Sequence, residues 1–414
     1  MTAVPTPAPP SRAFEVPVEG VRGIAAMLVA LGHCLAVPIL DPTWSPPEPW
    51  PYFQAGHAGV MLFFMLSGYV IGLTNPETFS NARVRDYVAR RAIRIVPIYL
   101  IAWLFSVWVS SGESLTTYLG NLFFLQNLDH YFGVSIPPIR VNGPLWSLNY
   151  EMVYYAAFLL VWCFRPPVWL HLAAALAVGA AGWFWRGFPL FLAGYACGWI
   201  FWGTGCWLSR QPRLAADTRA GPVLSGVFLL LATHHFACGH MLLNALGFKR
   251  EQIANVNLTN LSLLPPVLLI LAAAARRKLP WGGLVTLVAF GQVLGTIIFL
   301  LALGRLGDTP QWLTATVYGG LACALAGFKS VGWLKMFAPF GGISYAFYII
   351  HFPMLFVVQR LPLPRGTPAL FLLRTAIWLA LSLTAAWFLE RVFQVWIKNW
   401  WKGLSVRTPR PATA

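Results

Sequence analysis

The chain has 414 residues, of which 58% are hydrophobic and 10% are charged, and its formal net charge is +16. Soluble domains carry about 25% charged residues, so this composition excludes an ordinary soluble fold and predicts many membrane spans. The Arg and Lys residues fall mainly between apolar runs, where they orient membrane helices, and no basic soluble segment indicates nucleic-acid binding. The six cysteines are scattered and predict no disulfide framework.

Residues 1–18 are rich in proline and are predicted to form a disordered N-terminal segment. The apolar run that follows is too long for a removable leader, so we expect it to be the first membrane span. Eleven more segments have the length and hydropathy of spanning helices. The twelve predicted spans are 21–40, 58–75, 94–111, 146–164, 168–185, 188–204, 222–243, 258–275, 283–304, 312–328, 343–361 and 369–390.

The predicted fold is all-α, a polytopic transmembrane bundle of about ten to twelve spans, because the loss of one adjacent pair would give ten. The run 115–128 is too short and polar to span and is expected to lie along one membrane surface. A cytoplasmic N-terminus puts most positive loops on the cytoplasmic side, as the positive-inside rule requires, although Lys249, Arg250 and Arg365 are exceptions. Both termini are then cytoplasmic, and residues 394–414 form a basic cytoplasmic tail.

Two ionisable residues share one face of the first span. Arg22 and His33 are eleven residues apart, which at about 100° per residue returns to within roughly 20° of the same direction. His33 lies roughly 16 Å deeper along the helix axis. Arg22 is then at a membrane surface and His33 is near the middle. An ionisable residue at that depth is costly, and it indicates a functional site.

The fourth span opens with a second polar cluster, in which Ser147 and Glu151 share a face. Glu151 is expected about 8–10 Å below the outer surface, at a depth similar to that of His33. A carboxylate there can hold an imidazole in one tautomer and stabilise its protonated form. The alternative is an ion pair that holds two helices together.

Two further clusters have both a functional and a structural interpretation. Arg91 and Arg94 share a face at the inner start of the third span and suit phosphate binding, but membrane anchors have the same pattern. Ser344, Tyr348 and His351 share a face of the eleventh span. His351 is interpreted as a proton relay, as a residue that positions a donor, or as a packing histidine.

Two other patterns are interpreted structurally. Ser67 and Gly68 permit close helix approach, which favours packing. The segment 234–240 holds three His and one Cys, but no second ligand pair completes a site, and we expect no metal. The sequence contains no phosphate-binding glycine loop, nucleophile elbow or zinc-binding helix motif.

Taken in chain order, these segments resemble the motifs of the acyltransferase 3 family of integral membrane acyltransferases. The resemblance covers nearly the whole chain, from about 19 to 393. Glu19 stands where the family typically has Asp, which keeps the charge. The matching segments are 19–33, 63–68, 91–97, 145–151 and 343–351.

The resemblance implies a membrane acyltransferase domain over 19–393. Such a domain transfers an acyl group, commonly acetyl, from cytosolic acyl-CoA to a hydroxyl of a sugar or glycan. By the same resemblance Arg22 and His33 are the catalytic pair, and Arg91 and Arg94 are a basic pair that binds the donor. The expected partners are acyl-CoA as co-substrate, a carbohydrate acceptor and the bilayer of the inner membrane.

The expected mechanism uses His33 as general base or as a transiently acylated nucleophile. Glu151 is expected to orient or charge-balance its ring, and Arg22 to contribute to donor binding as well as catalysis. Further support is expected from residues that donate to an oxyanion or flank the pair. These supporting residues are Glu19, Ser147, Ser344, Tyr345, Tyr348 and His351.

A proton-coupled transporter or flippase of a glycan or lipid is the alternative, because buried His and Glu also serve proton-coupled carriers. The basic residues at the inner surface favour a phosphate-bearing donor and thus the enzyme. The sequence leaves open the acceptor, the acyl chain, the oligomeric state, and the choice between direct transfer and an acyl-enzyme.

Overall fold

The computed structural model describes residues 12–36, 38–76, 78–215, 221–250 and 252–407, and over these residues the fold is all-helical, with no β-strand. The helices are α1 Arg12–Ala36, α2 Gly56–Thr74, α3 Asn81–Val109, α4 Leu115–Leu122, α5 Trp146–Phe164, α6 Val168–Phe184, α7 Leu190–Ser209, α8 Val223–Phe236, α9 Cys238–Ala245, α10 Leu264–Ala274, α11 Gly282–Ala302, α12 Pro310–Ala324, α13 Ala338–Gly341, α14 Ser344–Arg360, α15 Pro368–Phe388 and α16 Gln394–Arg407. Short 3₁₀ turns occupy Trp50–Phe53, Arg140–Leu145, Leu258–Leu263 and Gly332–Met336, and a π-turn occupies Leu389–Phe393.

Every predicted span overlaps a helix or two consecutive helical segments. The segment 222–243 is the pair α8 and α9, which are bent by 46° at their junction. The segment 258–275 is a 3₁₀ turn followed by α10, and Pro265 and Pro266 lie in the first turn of α10, where the missing proline N–H costs no intrahelical hydrogen bond. The run 115–128, expected along the surface, contains the short helix α4.

Two helices begin well before their apolar runs. α3 begins at Asn81, where the Ser80 side chain caps it by accepting from the Arg83 amide; basic residues form its first turns, which an apolar pattern cannot detect. α1 begins at Arg12, inside the predicted disordered segment 1–18. Residues 1–11 of that segment, and residues 408–414 of the predicted tail, lie outside the described residues.

Five of the described helical segments are long and apolar enough to cross a membrane, and the bent pair α8–α9 would make a sixth. α5 is not among them because Asn149 and Glu151 lower the hydropathy of its first turns. α6 is apolar, but with 17 residues it is shorter than these segments. The five segments are Val16–Leu35, Trp50–Thr74, Asn81–Val109, Gly282–Ala302 and Pro368–Gly403.

α2 and α7 cross in backbone contact at two glycines. A Cβ atom on Gly68 would lie 1.9 Å from the carbonyl oxygen of Trp202, and a Cβ on Gly205 would lie 2.0 Å from that of Met65. Only glycine permits this approach, which confirms the packing interpretation of Gly68. Next to this crossing, Ser67 of α2 donates a hydrogen bond to Glu151 of α5, and both helices contribute to one central cavity.

Candidate functional site

A central cavity of about 410 Å³ brings together most of the predicted site residues. Its wall is built from α1, α2, α3, α5 and α14, with one residue from α16. Exposed Arg90 lies at the open end, whereas Ser147, Ser344 and Tyr348 are buried. The predicted residues in the wall are Arg22, Arg91, Arg94, Ser147, Glu151, Ser344, Tyr345 and Tyr348.

The basic end of the cavity, defined as Arg22, Arg90, Arg91, Arg94 and Lys398, contains both paired and unpaired cations. Arg22 forms an ion pair with Glu19 at 2.6 Å. Arg94 forms an ion pair with buried Glu390.

The other cations of the basic end have no carboxylate partner among the described residues. Arg90 donates to the side-chain oxygen of Asn75 at 3.0 Å. The Nε atom of Arg91 is buried without a hydrogen-bond partner. A buried donor without a partner is costly, so Arg91 is suited to bind an anion that enters the cavity.

Glu151 faces the cavity and is bound by two hydroxyls. It accepts from Ser67 on α2 at 2.6 Å and from Tyr155, one turn later on α5. Ser67, interpreted from the sequence as a packing residue, thus also lies in the cavity wall. These bonds fix the carboxylate against the α2 side of the cavity.

His33 pairs with His351 instead of Glu151. Its Nδ1 atom lies 3.0 Å from Nε2 of His351, and its ring contacts Phe352 edge-on at 4.9 Å between centroids. The expectation that Glu151 orients His33 is therefore corrected, because α1 directs the imidazole towards α14 while the Glu151 carboxylate is bound by Ser67 and Tyr155. The similar depth predicted for the two side chains did not imply contact between them.

The hydrogen-bond network assigns the protons on both rings. Nδ1 of His351 lies 2.7 Å from the Tyr348 carbonyl oxygen and 3.2 Å from that of Phe347. Since a carbonyl only accepts, His351 carries its proton on Nδ1, and its Nε2 atom is an acceptor. His33 therefore donates from Nδ1, which leaves a lone pair on its Nε2 atom. The half-buried His33 ring is thus set up to accept a proton.

The two imidazoles are not among the residues that line the cavity. Tyr348 lies in the cavity wall beside His351. Its ring centroid is 6.0 Å from that of His351 and 5.8 Å from that of Phe63, another residue of the wall. Arg22 lies at the basic end of the cavity, whereas His33, on the same face of α1, lies outside the cavity wall and contacts His351 of α14.

The hydroxyls expected to stabilise an oxyanion have other partners. Tyr345 donates to the Ile95 carbonyl at 3.0 Å, and Tyr348 donates to the Pro144 carbonyl at 2.8 Å. Ser147 donates to the Tyr348 hydroxyl oxygen at 2.6 Å, and its own oxygen lies 3.3 Å from the Pro144 carbonyl oxygen. In this arrangement the three hydroxyls hold α14 against α3 and the start of α5.

Sequence reasoning did not identify Glu390 or Lys398. Glu390 had a usable signal, because it is a carboxylate at the end of an apolar run, as Glu151 is at the start of one. Lys398 had none, since it lies in a basic segment that was interpreted as a tail.

The chain matches the acyltransferase 3 family model, described as an acyltransferase domain, over residues 17–391. The peptidoglycan O-acetyltransferase OatA of Listeria monocytogenes is 24% identical over 402 residues, which are 92% of this chain and 54% of that protein. The exopolysaccharide production protein ExoZ of Rhizobium meliloti is 32% identical over 114 residues, or 26% of this chain and 34% of that protein.

A third relative, an O-acetyl transferase of Shigella phage Sf6, is 28% identical over 148 residues, which are 32% of this chain and 42% of the phage protein. The chain thus spans about a third to a half of the length of these relatives. No solved structure matches it. The family match covers most of the chain and every motif that surrounds the cavity, and the chain therefore belongs to the acyltransferase 3 family.

Proposed function

We propose that the protein is a membrane O-acyltransferase that moves an acyl group, most simply acetyl, from cytosolic acyl-CoA to a hydroxyl of a sugar or glycan. The observation that carries the proposal is one cavity whose open end holds Arg90 and Arg91, neither of which forms an ion pair among the described residues, and whose wall residue Tyr348 lies beside His351, the hydrogen-bond partner of the His33 imidazole. The relatives named O-acetyltransferases support the choice of acetyl, and those named for peptidoglycan and exopolysaccharide support a glycan acceptor.

The donor fits the cavity by its charge and its shape. The phosphates of CoA would bind Arg90 and Arg91, which lack carboxylate partners among the described residues, with Arg22 beside them. Its narrow pantetheine arm would extend along apolar Val60 and Phe63. The thioester would then reach Tyr348, next to His351, the hydrogen-bond partner of His33.

His33 acts as the general base in this proposal. Its Nε2 atom accepts the proton of the acceptor hydroxyl as the hydroxyl oxygen attacks the thioester carbonyl. The carbon–sulfur bond breaks, and the CoA thiolate takes the proton back from His33. His351 accepts from Nδ1 of His33 throughout and so holds the ring in the reactive tautomer. Acylation of His33 before transfer is the covalent alternative.

The proposed topology has ten to twelve spans in the inner membrane, with both termini in the cytoplasm. The shorter and more polar helices, such as α5 and α6, then also cross, because neighbouring helices cover their polar residues. This orientation puts the basic end of the cavity on the cytoplasmic side, where acyl-CoA is found. The acceptor hydroxyl approaches from the opposite side.

Transfer of label from radioactive acetyl-CoA by the full chain in detergent, with isolated cell-envelope glycan as acceptor, tests the proposal. We expect His33→Ala to lower the rate about 10²- to 10⁴-fold, because the variant lacks the general base that this proposal assigns to Nε2 of His33. His130→Ala, in an exposed loop, is the matched control and should keep the wild-type rate.

Full activity of His33→Ala would exclude this imidazole as base. A wild-type protein that neither binds CoA nor releases it from acetyl-CoA, yet moves glycan or lipid across vesicles, would instead favour the transporter.

A further inference from the structure

The C-terminal helix α16 adds a residue to the donor cavity. α16 begins at Gln394, after the last residue, 391, that the family model matches. Its exposed residue Lys398 nevertheless lines the central cavity with Arg90 and Arg91. This lysine is therefore a part of the site that the matched family segment does not supply.

The π-turn before α16 fixes this helix in place. The π-turn residue Glu390 pairs with Arg94 through one carboxylate oxygen and accepts from the Ala346 amide at 3.3 Å through the other. The Gln394 side chain donates to the Ile93 carbonyl of α3 at 2.7 Å. Lys398 lies one turn after Gln394, hence on the same helix face, and these contacts hold it beside α3.

Lys398 is one of three cations in the cavity wall without a carboxylate partner in the described part of the chain. The charges of Arg22 and Arg94 are balanced by Glu19 and Glu390. The remaining positive charges at this end are therefore Arg90, Arg91 and Lys398. A ligand with several phosphates would bind these three first, because none of them forms a direct ion pair with a carboxylate of the described residues, as Arg22 and Arg94 do.

The opposite face of α16 is aromatic. Trp396 and Trp400 are 60% and 54% exposed, and they are four residues apart on a face that points away from Lys398. Tryptophans with this pattern lie at a membrane interface. α16 continues α15 through the π-turn within one helical segment, Pro368–Gly403, and presents Lys398 at the mouth of the cavity.

We propose that Lys398 binds a phosphate of the acyl-CoA donor, and that α16 thereby adds a donor-binding residue to the acyltransferase domain. This inference rests on the proposed function, since it requires a CoA donor. It is independent of the chemistry at His33, because it concerns affinity at the opposite end of the cavity.

Equilibrium binding of CoA and of pantetheine to the full chain in detergent, at low ionic strength, tests the inference. Lys398→Gln should weaken CoA binding about fivefold, the effect of one partly exposed charge, and leave pantetheine binding unchanged. Lys398→Arg should restore CoA binding. Lys402→Gln, one turn later and also exposed but not in the cavity wall, should bind CoA as the wild type does.

The outcomes separate the two proposals. If the wild-type protein fails to bind CoA, the donor proposal itself is wrong. If the wild type binds CoA and Lys398→Gln binds it equally well, only the inference about Lys398 is wrong. Equal weakening of CoA and pantetheine binding by Lys398→Gln would also overturn it, since a phosphate contact affects CoA alone.

Discussion

At the scale of single residues, the proton on His33 is placed by His351. The Tyr348 carbonyl accepts from Nδ1 of His351, so the other nitrogen of that ring can only accept from His33. A neutral ring here does what a carboxylate does in many hydrolases, which is to hold a catalytic histidine in one tautomer. Trp378 also donates to the His351 carbonyl at 2.8 Å and ties α14 to α15.

Replacing His351 tests this positioning role. In His351→Gln the amide oxygen can accept from His33 and the amide nitrogen can donate to the Tyr348 carbonyl, so we expect kcat within about tenfold of wild type. His351→Leu can do neither and should lower kcat about 10²-fold or more. Since His351 is not in the cavity wall, KM for acetyl-CoA should change little in both variants.

Steady-state kinetics of transfer, with folding checked by size-exclusion profile, is the measurement. Equal loss of kcat in the Gln and Leu variants would show that His351 only fills space, because the Gln variant alone preserves the hydrogen bonds.

At the scale of helices, the α2–α7 crossing lies next to the cavity wall. α2 carries Ser67 into the wall, where it binds Glu151 of α5. The next residue, Gly68, touches the Trp202 carbonyl of α7. Any separation of α2 from α7 would therefore also move Ser67 and disturb the bond that holds the carboxylate.

Gly68→Ala and Gly205→Ala should each destabilise the protein by roughly 1–3 kcal/mol or more, because the added methyl group overlaps backbone that must move. Gly291→Ala in α11 is the control, since a Cβ there meets no atom within 4 Å. Thermal unfolding in detergent, followed by tryptophan fluorescence, measures the difference. Gly68→Ala melting at the same temperature as Gly291→Ala would show that the two helices are free to separate.

At the scale of the whole molecule, helical periodicity and apolar length predicted the helices well, because both depend on local sequence. Helix starts in polar sequence were missed, as at Asn81, where a serine cap and not hydropathy sets the boundary. The shared face of Arg22 and His33 also follows from local geometry.

The contacts between helices could not be predicted in the same way. The pairing of His33 with His351 joins residues 318 positions apart, and it depends on how α1 and α14 are rotated against each other. Glu151 was expected to contact His33 because the two residues have similar predicted depths in the membrane. The position of a residue along its own helix is enough to predict its depth. Which side chain lies across the interface is determined only by packing.

The proposed topology places the α14–α15 hairpin across the membrane, with position 362 outside and positions 330 and 399 inside. These three residues are exposed, so cysteines introduced at Ser330, Pro362 and Asn399 should react when the reagent reaches them. In a chain whose own six cysteines are replaced, a membrane-impermeant maleimide applied to intact cells should label position 362 alone.

Permeabilised cells should then allow labelling at positions 330 and 399 as well, which controls for accessibility. Labelling of 399 but not 330 in intact cells would mean an odd number of crossings between them and would contradict the paired spans. Labelling of both would place Lys398 and the basic end of the cavity on the outer side, where acyl-CoA is absent. The orientation and the choice of donor are therefore tested together, because α16 carries both the label position and the lysine that faces the cavity.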